Sequence, residues 1–302
     1  MDFIVGGTAA CCAGLFTNPF DLIKTRQQLQ GELTADRTLK NPYSSVLKSI
    51  RSIVQKEGVL GLQKGLVSAL AFQFVMNSTR LGLYQTVDTK GFTRGDDGNH
   101  NPLLCVFWGA VSGVAGSALG APLYKVKCQL QSQSNTENAV GYQHKHKNMG
   151  QALMSIFKET GVKGLWAGSS GLLIRTSVGS ATQLSTFTEC KDFLQRSQIF
   201  RESVFLTAVG ASMISGFFTV VCMTPFDVIA TRLFNQGVDE RGRGLLYRNI
   251  FDCFTKTFRT EGLRGLYKGF FPNYCRAAPH TVLNLTFWEF FKNIQLHLAE
   301  SD

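Results

Sequence analysis

Three prolines spaced 103 and 103 residues apart divide this chain into three copies of one unit. They head the triplets Pro19-Phe20-Asp21, Pro122-Leu123-Tyr124 and Pro225-Phe226-Asp227. A glycine block follows each proline, at spacings of 103 and 101 residues. The blocks are Glu57-Gly58, Gly61-Leu62 and Lys64-Gly65, then Gly161, Gly164-Leu165 and Gly168, then Glu261-Gly262, Gly265-Leu266 and Lys268-Gly269. A chain that returns to one pattern at a fixed period builds one supersecondary unit several times over. Although 302 residues would suggest two domains at about 150 residues each, the pattern divides the chain into repeats 1–94, 95–200 and 201–302.

Each unit runs in the same order: an apolar span that includes the proline, a basic loop with a short amphipathic segment, the glycine block, and a second apolar span. The six spans cover roughly 3–29, 66–87, 103–130, 169–190, 204–233 and 271–295, each about long enough to cross a bilayer. Proline inside such a span is tolerated when neighbouring helices satisfy the freed carbonyl. Small residues stand in register before each proline, as Gly6 and Ala10, Gly109 and Gly113, Ser212 and Gly216. They predict close helix crossings at those positions. The loop segments around Ile50 and Ile53, Ala152 and Ile156, and Ile250 and Phe254 have helical spacing and predict short helices lying in the membrane interface.

The net charge of +10 is sorted in phase with these spans. Segments 24–64, 125–163 and 232–268 hold 22 Lys and Arg against 9 Asp and Glu, whereas 88–101 and 191–202 hold 5 against 5. Basic excess on one side of a set of spans is the pattern of an inserted membrane protein, not of a soluble basic surface. Nucleic acid is excluded as a partner, since no zinc-finger spacing or RNP-like motif is present. No phosphate-binding GxxxxGK[ST] loop occurs either. The eight cysteines form no CxxC pair, so neither a metal site nor a disulfide framework is expected. No nucleophile-base pair stands out, and an enzyme with catalytic residues or a cofactor is not expected. His100, His144, His146, His280 and His297 fit loops or helix ends better than ligand positions. The glycosylation patterns at Asn77 and Asn284 lie inside spans and should stay unmodified.

The proline motif (proline, x, acid, two residues, base), recurring three times and followed by a block like EGxxGLxKG, resembles the signature of the mitochondrial carrier family over the full length of the chain. Arg80-Leu81-Gly82-Leu83-Tyr84 and the run from Pro225 to Leu233 resemble the subgroup of oxaloacetate and dicarboxylate carriers and uncoupling proteins. Within it they are nearest to the branch of oxaloacetate-type carriers and solute carrier family 25 members 34 and 35. The resemblance implies an all-α membrane protein in the mitochondrial inner membrane. Six transmembrane helices with threefold pseudosymmetry would surround one cavity. Short interfacial helices and the basic loops would face the matrix, and both termini the intermembrane space. It further implies a monomer, contact with anionic lipid such as cardiolipin, and a small anionic metabolite as partner.

The resemblance also assigns two gates. In the family, the acid of each proline motif pairs with the base of the next repeat and closes the matrix side. Here Asp21 would pair with Lys127 and Asp227 with Lys24, while the third pair would join Tyr124 to Ala230, both uncharged. Loss of both members is tolerable where loss of one would strand a buried charge. The gate on the cytosolic side would be built from Tyr84-Gln85 with Asp88, Phe187-Thr188 with Lys191, and Trp288-Glu289 with Lys292. Under the family's pairing Glu289 would face Asp88, leaving a weak gate and a carrier that rests open to the intermembrane space.

Inside the spans, away from the gates, stand Arg80, Arg175 and Arg276. Each would cost roughly 2.5–3.5 kcal/mol unpaired at the centre of a span, so a water-filled cavity is the expected environment. Twelve residues before the three gate aromatics lie Phe72, Arg175 and Arg276, the level of the family's substrate contacts. The guanidinium fork suits a carboxylate. Arg175 and Arg276, with Gln73 as a neutral donor and Arg80 nearer the mouth, predict a small dianion such as a dicarboxylate, an oxo-acid or sulfate, moved by alternating access. An uncoupler-like proton or fatty-acid-anion leak and a non-transporting membrane scaffold or receptor are the alternatives.

Overall fold

Each repeat folds as a long helix, a short helix and a second long helix. The computed structural model describes residues 2–34, 42–95, 100–134, 139–195, 204–239 and 242–301. Repeat 1 holds α1 (Asp2–Leu29), α2 (Val46–Glu57), a short 3-10 turn (Val59–Gln63) and α3 (Leu66–Thr89). Repeat 2 holds α4 (Pro102–Ser132), α5 (Met149–Leu165) and α6 (Ser169–Gln195). Repeat 3 holds α7 (Val204–Asn235), α8 (Ile250–Leu266) and α9 (Phe270–Ser301).

The local signals recur with the repeat. Ser45, Asn148 and Asn249 cap α2, α5 and α8, each accepting the amide three residues on, which satisfies an otherwise orphaned donor. The glycine block supplies backbone that other residues rarely adopt: φ is 77°, 67° and 69° at Gly58, Gly161 and Gly262. The bend closes α2 at Gly58 and kinks α5 and α8 about one turn before their ends, which turns the chain toward the next span. Buried Ile53, Ala152, Ile156 and Cys253 hold the short helices against the proline helices, while Leu47, Phe157 and Phe251 point outward, as expected of interfacial helices.

The long helices close a ring in the order α1, α3, α4, α6, α7, α9 and back to α1. The three proline helices α1, α4 and α7 also touch one another, so the ring is drawn shut toward the end where the prolines lie. Pro19, Pro122 and Pro225 are each carried inside an unbroken helix. The molecule is inverted relative to a water-soluble protein. Leu15, Phe16, Phe107, Leu119, Phe217 and Phe218 are exposed on the outside, while Asp21, Lys24, Lys127, Asp227, Gln28 and Gln131 are buried. Among the described residues, the helical stretches Val59–Thr89, Leu103–Ser132 and Gly210–Asn235 are long and apolar enough to cross a membrane by length and composition.

The small-residue register predicts the crossings only in part. A Cβ on Gly6 would meet the Leu81 side chain, and Ala10 is buried, but Gly109 and Gly216 face open space. Close approaches also occur at glycines outside that register: a Cβ on Gly116 would sit 2.6 Å from the Met76 carbonyl oxygen, one on Gly120 2.8 Å from the Phe72 ring, and one on Gly171 2.8 Å from Ala230 Cα. The α3–α4 and α6–α7 crossings are thus tight near the prolines, whereas α1 meets α3 closely at Gly6 and Gly7 as well. Gly116→Ala should therefore destabilise the detergent-solubilised protein by about 1–3 kcal/mol through overpacking against α3. Gly109→Ala should be neutral or stabilising, by up to about 1 kcal/mol. Thermal unfolding of the two variants side by side checks this.

Candidate functional site

At the proline end, two buried aspartates each hold two cations. Asp227 Oδ2 lies 2.6 Å from Lys24 Nζ and accepts from Gln28 Nε2 at 2.7 Å, while its Oδ1 lies 2.5 Å from Arg175 Nε. Asp21 Oδ2 pairs with Lys127, and its Oδ1 lies 3.3 Å from Arg276 Nε. The proline-motif bases come from neighbouring proline helices and the arginines from α6 and α9, so one layer ties five of the six long helices together. Gln28 is itself fixed by Thr231 Oγ1, which donates to its Oε1 at 2.7 Å.

Tyr124 fills the place where a third acid would stand. Its buried ring packs edge-on against Phe72 with centroids 4.9 Å apart, and 5.5 Å from Phe234. Lys127 Nζ and Arg175 Cζ lie 5.0 and 5.7 Å from its centroid, so one π face is near a cation of each aspartate cluster. The place expected for a third pair, Tyr124 with Ala230, is apolar. Tyr124 shares a buried cluster with Phe72, Ala121, Cys128, Leu172 and Phe234, and Ala230 lies against Gly171.

Arg175 and Arg276 are not the unpaired cations that the sequence suggested. Folding brings each beside a proline-motif aspartate across sequence separations that no local motif reveals. Arg80 differs: it is half-buried in α3, and no carboxylate pairs with it among the described residues. Gln73 is placed by a residue that the sequence had set aside. His280 lies in the body of α9, one turn beyond Arg276, and not in a loop or at a helix end. Its Nε2 is 3.2 Å from Gln73 Nε2 and its Nδ1 3.2 Å from Thr17 Oγ1. The spacing of Arg276 and His280 by four residues, which puts them on one helical face, was the available signal.

The opposite end holds no matching layer. Lys191 and Glu289 are exposed, and Lys292 Nζ lies over the Trp288 ring at 4.6 Å. Asp88 is turned to its own loop, where it accepts from Thr93 and lies 3.5 Å from His100 Nδ1. No ion pair joins Asp88, Lys191, Glu289 and Lys292 among the described residues.

Two further clamps, unforeseen from the motif, flank the aspartate layer. Arg26 grips Glu57 at 2.5 and 2.9 Å and donates to the carbonyls of Gln131 and Gln133 in the next repeat. Arg232 grips Glu261 at 2.6 and 2.9 Å and donates to the carbonyl of Gln28. Lys64 and Lys268 complete the two carboxylates at 2.5 Å. Repeat 2 has Gln129 and Thr160 at the corresponding places, both neutral. Burial alone would push the Glu57 carboxyl up, but hydrogen bonds from Arg26 and Lys64 outweigh it and hold the group at about 2.

Comparison with known proteins decides what this layered ring is. The family model described as mitochondrial carrier protein matches residues 1–94, 98–198 and 201–298. The chain belongs to the mitochondrial carrier family. This carrier is 47% identical over 289 residues to solute carrier family 25 member 35 of Mus musculus, covering 96% of both chains. It is 40% identical to the mitochondrial oxaloacetate transport protein of Saccharomyces cerevisiae, covering 95% of this chain and 87% of that one. It is 38% identical to the mitochondrial citrate transporter E of Aspergillus niger, covering 99% and 94%. Family membership makes the carrier a multi-pass protein of the mitochondrial inner membrane.

Two measurements test the geometry of the carrier. Asp227→Asn strands both Lys24 and Arg175 in a fully buried position and should cost about 3–5 kcal/mol. Asp21→Asn, whose second cation is more distant, should cost less; thermal shift in detergent ranks them. Glu57 is depressed on folding, so its contribution is complete above its ordinary value of 4.5 and lost as pH falls toward about 2. Acid titration of unfolding should show that loss in the wild-type carrier and a flatter curve in Glu57→Gln.

Proposed function

We propose that this carrier moves a small dianion, a dicarboxylate or oxo-acid, between the intermembrane space and the matrix, and that the structure is its matrix-closed state. The charge balance of the aspartate layer carries the proposal. Lys24, Lys127, Arg175 and Arg276 face two carboxylates, Asp21 and Asp227, leaving two positive charges in excess where water is scarce. A dianion offsets that excess, and the planar guanidinium forks of Arg175 and Arg276 suit carboxylate oxygens. The name of one relative, an oxaloacetate transport protein, agrees with such a substrate, and that of another, a citrate transporter, with the wider class of small carboxylates.

The same geometry supplies the coupling. Arg175 and Arg276 each occupy the second oxygen of a gate aspartate. An anion that draws them away leaves Lys24–Asp227 and Lys127–Asp21 as simple pairs, and so lowers the cost of parting the proline helices. A ligand shifts two states only by its differential affinity for them, and here that difference is the loosening of the closed gate. With no charge pairs across Lys191, Glu289 and Lys292, little opposes opening toward the intermembrane space, the side on which we place both termini. The basic loops then face the matrix, where cardiolipin is the anionic lipid they would meet, and the three repeats form a monomeric unit.

Reconstitution in liposomes with labelled malate, oxaloacetate, citrate, sulfate, phosphate and ADP tests the substrate class. Uptake is expected for a small dianion and not for ADP. Arg175→Ala and Arg276→Ala should each lower that uptake by about a hundredfold, as expected when a charged contact worth roughly 3 kcal/mol is removed. Normal transport by both variants would move the site elsewhere. Fatty-acid-dependent proton flux without anion uptake would favour the uncoupler-like alternative.

A further inference from the structure

His280 is engaged in a way that the movement of an anion alone does not require. His280 lies in the body of a long helix, ten residues past its start, and three helices meet at its ring. Gln73 of α3 presents its amide nitrogen to Nε2, and an amide NH2 can only donate, so Nε2 is an acceptor without a proton. The ring proton is then on Nδ1 and is donated to Thr17 Oγ1 of α1, which in turn donates to the Ala13 carbonyl at 3.1 Å. The network therefore holds a neutral imidazole in one tautomer, one helical turn from the Arg276 guanidinium.

We propose that His280 is the proton-binding group of this carrier, gaining a proton as an anion settles on Arg276 and giving it up on the far side of the membrane with the anion. The inference rests on the dianion-carrier reading above and adds a second, cationic cargo to it. The charges around the ring explain the coupling. Its own helix contributes Arg276, α1 contributes Asp21, already shared by Lys127 of α4 and Arg276, and α7 contributes Asp227 to this layer, held by Lys24 and Arg175. From α3 come the neutral Gln73 and, two turns toward the opposite end, Arg80. A second positive charge beside Arg276 is opposed in this already cationic layer while the site is empty. A bound dianion removes that opposition, and by linkage the proton strengthens anion binding to the same degree.

Gln73 makes the coupling structural. A protonated Nε2 donates, so the Gln73 amide must turn to offer its Oε1. The bond that opposes this turn, from Asn77 Nδ2 to Gln73 Oε1, is long at 3.4 Å. The turn frees the amide NH2, which then becomes a donor available to the anion beside Arg276. The proton comes from water in the open cavity and returns to water when the anion leaves, since two adjacent cations are then uncompensated. No covalent bond changes.

The test uses the full chain in liposomes with labelled oxaloacetate, malate and sulfate, the last carrying no proton of its own in neutral buffer. Potassium and valinomycin hold the membrane potential at zero. A gradient of one pH unit, inside alkaline, should drive about tenfold accumulation of the transported anion, because one pH unit is a tenfold proton ratio that one-to-one coupling passes on to the anion. His280→Gln should lose that accumulation. Uptake of none of the three anions would sink the carrier reading and this inference with it. Uptake that ignores the gradient would sink the inference alone, as would unchanged tenfold accumulation by His280→Gln. Should His280→Gln take up nothing, nitrogen NMR of the 15N-histidine-labelled wild-type protein in nanodiscs decides: the His280 ring should pass from one proton to two when the anion is added, and an unchanged ring overturns the proposal.

Discussion

Two carboxylates buried where the proline helices meet set the constraint on which the other features depend. An isolated charge in such a place is prohibitively costly, and each aspartate is therefore surrounded by donors from several helices. Asp227 alone gathers Lys24 and Gln28 of α1 and Arg175 of α6. Asp21 gathers Lys127 of α4 and Arg276 of α9. Each ion pair therefore works as a strut between repeats. Because the struts are ionic, either member of a pair would accept another charged group in its partner's place. An apolar plug would hold the helices at least as firmly but would offer an anion nothing to displace.

Repeat 2 shows how the pseudosymmetry is broken without leaving loose charge. It lacks the acid at Tyr124, the clamp arginine at Gln129 and the clamp glutamate at Thr160, and repeat 3 lacks the base that Tyr124 would have required, at Ala230. Charges are lost in pairs, since a lone survivor of any pair would be buried and uncompensated. What replaces the third ion pair is an aromatic seam of Phe72, Tyr124 and Phe234, flanked by Lys127 and Arg175 near the Tyr124 ring. The seam also accounts for Phe72 at a level where an arginine would have added a third excess charge beside the gate.

The features that repeat every hundred residues were the legible ones. Prolines, glycine bends, capping residues and sorted loop charge are properties of one unit, and seeing them three times removes the ambiguity that each has alone. The features peculiar to one copy were harder. Arg175 and Arg276 could be singled out as charges inside spans, but their partners on α7 and α1 could not be read from spacing. His280 was grouped with histidines of loops and helix ends, whereas α9 runs on through it and through Pro279 beside it. The Arg26–Glu57 and Arg232–Glu261 clamps were visible as a shared presence in repeats 1 and 3 and a shared absence in repeat 2, a signal that needed the fold to give it meaning.

The sequence by itself determined the number of repeats, the order of helices within each, the side that carries the positive charge and the identity of the residues too costly to place in lipid. These follow from hydropathy, backbone preference and solvation, which act over a few turns of chain. Only the tertiary structure decided that the two arginines share the proline-motif aspartates, that Gly116, Gly120 and Gly171, and not Gly109 and Gly216, make close crossings, and that His280 bridges α1 and α3. Those outcomes depend on how six helices converge, and convergence is settled by which buried charges and rings can satisfy one another across distances that no local pattern encodes.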